Sequence, residues 1–158
     1  MKLRKLGLVA ALCAAGILGG ANAWAGDTAT VAVSAAVVGT CKFNSGGSIS
    51  FTLDQTSASD ATGSVVNPAF WCTKNTSYTV SDDDGLWETG VGARRMKSTT
   101  LGTPEYIPYA FGYTTTGTGA GKTTPITLTL TGATVLNANF VNVSADTYGD
   151  TVTLTVAP

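Results

Sequence analysis

Histidine is absent from the chain, and Asp, Glu, Lys and Arg together make up only 12% of its 158 residues. That is about half the charged share of an ordinary soluble domain. Without imidazole, the commonest general base, pH switch and metal ligand are all missing. The formal net charge is −1, so there is no basic field for gripping phosphates and nucleic acid is not an expected partner. Beyond the first 25 residues, no stretch of ten carries apolar residues at helical i, i+3, i+4 spacing. Cysteine is sparse and odd in number, three in all, so the cysteines cannot all pair within one chain.

The N-terminus accounts for the odd cysteine. Lys2, Arg4 and Lys5 precede a mostly apolar stretch from Leu6 to Leu18, and Ala21, Ala23 and Ala25 then form two overlapping A-x-A sites. This is the layout of a secretory signal peptide. The apolar run is too short to span a membrane and no basic stop-transfer cluster follows it. Cleavage falls after Ala23 or Ala25. Taking Ala25, residues 1–25 leave and 133 remain, enough for one domain. Six basic residues then stand against ten acidic ones, a net charge of −4. Cys13 leaves with the signal, so Cys41 and Cys72, 31 positions apart, are expected to form a disulfide in an oxidising compartment. In the chain-entropy account, closing such a loop contributes about 3–4 kcal/mol. Zinc needs more ligands than two cysteines and no histidine supply. No cofactor is expected.

What the sequence has in excess is threonine, 27 residues of it. Ile126, Leu128 and Leu130 alternate with Thr127, Thr129 and Thr131; Val152, Leu154 and Val156 alternate with Thr151, Thr153 and Thr155. A period of two places aliphatics on one face and hydroxyls on the other, as a half-buried strand requires. Ile107, Tyr109, Phe111 and Tyr113 form a further such series, in which Pro108 marks an edge strand or a bulge. Shorter strands are expected at 48–53, 65–72, 78–81, 93–97 and 140–143, and loops at 44–47, 54–64 and 114–124. Eight or nine strands between Gly, Asn, Asp and Thr turns read as an all-β chain folded as a β-sandwich.

Two motifs invite a chemical reading and fail on spacing. The run from Gly117 to Lys122 and Thr123 resembles a phosphate loop, but Thr116 stands where the first glycine belongs, and a strand pattern follows instead of a helix. No nucleotide is expected. Asp82, Asp83 and Asp84 precede Gly85, which is ordinary turn chemistry; a calcium loop would alternate its ligands and end in a distant Glu. Glu88 and Glu105 are not placed near any partner carboxylate by the sequence, so paired-carboxylate hydrolysis has no support. Arg94 and Arg95 lack the surrounding positive charge of a nucleic-acid surface. An enzyme is not expected.

The segment after the signal is the informative one. Val31, Val33, Ala35 and Val37 lie two apart and reach Cys41 four residues later. They form one face of a strand near a free terminus. Such a strand belongs either to the molecule's own sheet or, by strand addition, to another molecule's. The pattern alone does not separate the two.

The spacing Val31-x-Val33-x-Ala35-x-Val37-x-x-x-Cys41 resembles the opening of spore coat protein U domains, a family that includes subunits of archaic chaperone–usher pili. The resemblance continues through Ile49-Ser-Phe51, where Thr52 replaces a usual Gly, and through Trp71-Cys72-Thr73 and Tyr78-Thr-Val80. Ala93-Arg94-Arg95-Met96 is similar to the family's central signature, and Ile107-Pro-Tyr109 to its Leu-x-Tyr strand. Tyr148-Gly-Asp150 resembles the opening of its closing strand, with Asp146 where a Gly is usual.

The resemblance implies an incomplete immunoglobulin-like β-sandwich that lacks one strand. Residues 26–40 would be an N-terminal donor-strand extension, with Val31, Val33, Ala35 and Val37 as its plugs, and 41–158 the pilin domain stapled by Cys41 and Cys72. The implied partners are other copies of the chain or sister pilins in a fibre, with a periplasmic chaperone and an outer-membrane usher during assembly. The implied location is the periplasm in transit and then the cell surface, as a fimbrium supporting adhesion and biofilm formation. Arg94, Arg95, Met96, Tyr148 and Asp150 carry family signatures without a catalytic role; a core methionine, a tyrosine with a bonded hydroxyl and an Arg–Asp pair are expected. The competing reading is a secreted monomeric β-sandwich that binds carbohydrate or another surface ligand, or a coat protein, with residues 28–38 folded into its own sheet.

Overall fold

The computed structural model describes residues 26–158, so the expected signal segment lies outside the described residues. Ala36–Pro158 form one compact unit. Residues 26–35, which are not part of it, adopt no regular secondary structure and are exposed.

The compact unit is all-β among the described residues, apart from one 3-10 turn at Asn137–Asn139. Its fourteen strands are short: β1 Cys41–Ser45, β2 Ser48–Ser50, β3 Ala61–Thr62, β4 Ser64–Val66, β5 Ala69–Cys72, β6 Ser77–Asp82, β7 Arg95–Ser98, β8 Tyr106–Pro108, β9 Ala110–Gly112, β10 Thr116–Thr118, β11 Ile126–Thr127, β12 Thr131–Val135, β13 Tyr148–Gly149 and β14 Leu154–Ala157. All pair antiparallel, in the orders β1-β5-β11, β10-β6-β14, β3-β12-β9, β13-β7-β8 and β2-β4.

The first two of these sheets share one core. Phe70 and Cys72 of β5 are fully buried and alternate with half-buried Ala69 and Trp71, as a pleated strand dictates. Phe70 meets Phe43 edge-on at 5.6 Å across the β1–β5 ladder and Tyr78 of β6 at 4.9 Å. Val80, Leu128, Leu154 and Val156 complete this cluster. The other triplet sheets enclose a second cluster around Ile107, Val135 and Phe140, against which Met96, Tyr109 and Tyr148 pack. Two layers over apolar cores are the arrangement of a β-sandwich.

Three long expected strands are each divided, because the chain changes sheets within them. The 65–72 series breaks at Asn67 and Pro68, so β4 pairs with β2 and β5 with β1. Pro68 has no N–H to give a ladder, and the opposing chain instead bonds Leu128 N–H to the Pro68 carbonyl and Leu130 N–H to Asn67 Oδ1. This same device splits the 126–131 series between β11 and β12. In the 107–113 series, Pro108 ends edge strand β8, which pairs with β7, and β9 beyond Tyr109 pairs with β12.

Three expectations are corrected. The 54–64 loop contains strand β3, which pairs with β12. Residues 140–143 form no strand: Phe140 is buried, local turn bonds serve the backbone, and Gln55 Nε2 donates to the carbonyls of Phe140 and Val143. The 114–124 loop contains strand β10, paired with β6. Gly117 is required there because a Cβ would collide with the Tyr78 ring, and Gly119 because one would collide with the Thr73 carbonyl. The glycines that imitate a phosphate loop serve close strand packing.

Candidate functional site

β1 is an edge strand of its sheet, and β14 is an edge strand of the facing one. The two lie side by side where β14 ends, and Gly39, just ahead of β1, is close enough to Pro158 that a Cβ would sit 3.7 Å from the proline's. Away from that end a cleft of about 660 Å³ opens between residues 43–51 on one wall and 149–154 on the other. Phe43, Ile49 and Phe51 face Val152 and Leu154 across it, over a floor that includes Met96, Tyr109, Phe111 and Leu130. Each of these apolar side chains is only half-buried. Residues 150–153 join no sheet, although the burial alternation of β14 runs unbroken back to Tyr148. The cleft is therefore a groove with apolar walls beside two sheet-edge strands, the kind of arrangement that accepts an added strand.

The groove's wall is fixed by a carboxylate. Asp150 accepts hydrogen bonds from Tyr109 Oη at 2.7 Å, Leu86 N at 2.9 Å and Thr151 N at 2.8 Å. Burial, and then the bond to Asp150, raise the Tyr109 phenol well above its ordinary value. Gly85 (φ 92°) must lack a side chain because a Cβ would run into the Asp150 carboxylate.

Arg94 pairs elsewhere. Its Nη2 lies 2.6 Å from Asp82 Oδ2 and 3.3 Å from Asp84 Oδ1, its Nη1 donates to the Phe111 carbonyl, and its guanidinium sits 4.4 Å over the Phe111 ring. The expected Arg–Asp pair is thus Arg94–Asp82, and Asp150 is bound by a tyrosine. Burial works against ionisation of Asp82, but the Tyr113 hydroxyl, the Asp84 amide and Arg94 outweigh it and hold its pKa below the usual carboxylate value. Of the acidic triplet, Asp82 and Asp83 accept the Asp84 and Gly85 amides, which is Asx-turn chemistry.

The remaining signature residues are spread over both faces. Arg95 stacks on Tyr106 at 4.1 Å, while Met96 lies under the groove. Tyr148 donates to Glu105 and to the Ser144 carbonyl; burial and Glu105 push its pKa up to about 12. Cys41 and Cys72 form the disulfide across opposed positions of β1 and β5. The plug residues Val31, Val33 and Val37 are 86%, 89% and 85% exposed, and Ala35 is exposed too. Missed by sequence reasoning were the pairs Tyr109–Asp150 and Tyr113–Asp82, whose members lie 41 and 31 residues apart and meet only in the fold.

Residues 27–155 match the Spore Coat Protein U domain. The chain belongs to that family. Spore Coat Protein U domains include pilin-like and spore-coat subunits, a structural rather than enzymatic family. No curated protein and no solved structure matches the chain. In this member of the family, then, the feature that calls for a functional account is the apolar groove.

Proposed function

We propose that the chain is a structural subunit of a surface pilus, assembled by donor-strand exchange. The observation that carries this reading is the coexistence of an apolar groove open along two strand edges and an exposed segment with four apolar residues two apart. Val31, Val33, Ala35 and Val37 of one subunit fill the groove of the next. Full burial of each valine contributes about 1.5–3 kcal/mol, and the backbone of the added strand pairs with the open edges. One subunit gives a strand and receives another, so the contact is heterologous and propagates a fibre. A periplasmic chaperone covers the groove before assembly, and an outer-membrane usher is where the next subunit's extension takes its place. The disulfide fits export to an oxidising compartment. Attachment and biofilm formation are the functions such a fibre serves.

The test is an unboiled denaturing gel of surface extracts. Donor-strand exchange gives a ladder of subunit multiples that collapses to one band on boiling, and Val33→Asp abolishes the ladder. A monomer band alone from the wild-type chain contradicts the proposal and favours a monomeric binding module.

A further inference from the structure

A subunit that carries both strand and groove faces a competition within itself. A tethered strand has an effective concentration in the millimolar range, far above that of any neighbour's strand. The sequence does not forbid the short circuit: residues 38–40 separate the plug segment from β1, three-residue hairpin loops are common, and Gly39 supplies the permissive residue.

The hydrogen bonds around Thr73 oppose that reversal. Thr73 directly follows the disulfide-bonded Cys72, and its backbone N–H donates to the Thr40 carbonyl at 2.9 Å, extending the β1–β5 ladder one step past the disulfide. Its hydroxyl accepts from Thr40 N–H at 3.0 Å and lies 3.4 Å from the carbonyls of Val38 and Thr40, to either of which it can donate. Gly39 sits against Thr76 and Pro158. The stem at 38–40 thus continues the line of β1, and Val37 and Val38 emerge 85% and 78% exposed instead of turning into the groove. A hairpin over residues 38–40 must break the Thr40 bonds.

We infer that Thr73 is a specificity-determining residue: its hydroxyl clamps the stem of the extension straight, so that the strand goes to another copy's groove and not to its own. This rests on the donor-strand reading above. The clamp adds no contact to the fibre interface; it acts on the choice between self-insertion and exchange.

The experiment compares full-length wild type, Thr73→Val, Thr73→Ala and Thr73→Ser in surface and periplasmic extracts, by unboiled gel and by elastase digestion of the monomer fraction. Elastase cuts after small aliphatic residues, which fill the extension. Valine keeps the shape of threonine and alanine introduces no clash, so the two variants separate loss of the hydroxyl from misfolding. Both are expected to move material from the ladder to monomer several-fold, with an extension that resists elastase, while Thr73→Ser behaves as wild type. An unchanged ladder, or extra monomer whose extension is still cut, overturns the clamp and leaves donor-strand exchange standing. A wild type without a ladder overturns donor-strand exchange itself.

Discussion

Tyr109 donates its hydroxyl to Asp150 at 2.7 Å, tying the segment that changes sheets to the stretch that leads into β14. Both residues line the groove, so this bond sets the distance between its floor and one wall. Asp150→Ala also frees the amides of Leu86 and Thr151, and a loss of about 2–3 kcal/mol is expected. Tyr109→Phe removes one bond only and should cost about 1 kcal/mol. Urea unfolding midpoints at unchanged slope measure both. Equal losses would show that the tyrosine, and not the carboxylate, organises the wall.

Arg94 and Asp82 are a buried pair, with side chains 11% and 5% exposed. Arg94→Met leaves Asp82 with Tyr113 and the Asp84 amide but no opposite charge beneath the sheet, and about 3 kcal/mol of destabilisation follows. The double variant Arg94→Met/Asp82→Asn should recover part of it, because no uncompensated charge is then buried. A double-mutant unfolding cycle reads the coupling.

Stability should be flat across neutral pH and fall at both extremes. No histidine titrates near neutrality. Asp146 is held down to about 2, chiefly by the Thr100 hydroxyl and amide, and Asp82 also lies below 3.8. Depressed carboxylates stabilise fully above their unfolded value and lose that contribution as pH falls through the folded one, so loss is expected below about 4, progressing toward 2. The phenols of Tyr109, Tyr113 and Tyr148 are raised. Their contribution is complete below the unfolded value of 10 and is lost as pH rises from there, through about 12 for Tyr148. Melting temperature against pH checks this; a step between pH 5 and 8 contradicts it.

Reducing the Cys41–Cys72 bond, or replacing both residues by alanine, should cost about 3–4 kcal/mol. It should also reduce strand uptake, since β1 bears one groove wall and the stem of the extension. Thermal unfolding with and without reductant is the measurement.

Much of the fold was legible in the residues. Alternation reads directly as a strand face over 154–156, and the two cysteines beyond the expected signal peptide do bond. The groove itself was reached by resemblance, because an empty strand position leaves no mark in a periodic pattern. The strand breaks were not legible: they depend on where Asn67, Pro68 and Tyr109 meet other segments, in contacts as far as 63 residues away in sequence. Strand β10 was hidden because glycines chosen for close approach to Tyr78 and Thr73 look like loop glycines. The 140–143 segment misled because an apolar run can bury itself in a turn when a side chain such as Gln55 serves its carbonyls.

The central claim is that the groove takes the extension of another subunit. The most direct measurement is thermal unfolding of the chain lacking residues 26–38, titrated with a synthetic peptide of residues 28–38. Donor-strand exchange predicts a saturable rise in melting temperature with the native peptide and none when aspartate replaces Val33. No shift with the native peptide, or equal shifts with both, would contradict it.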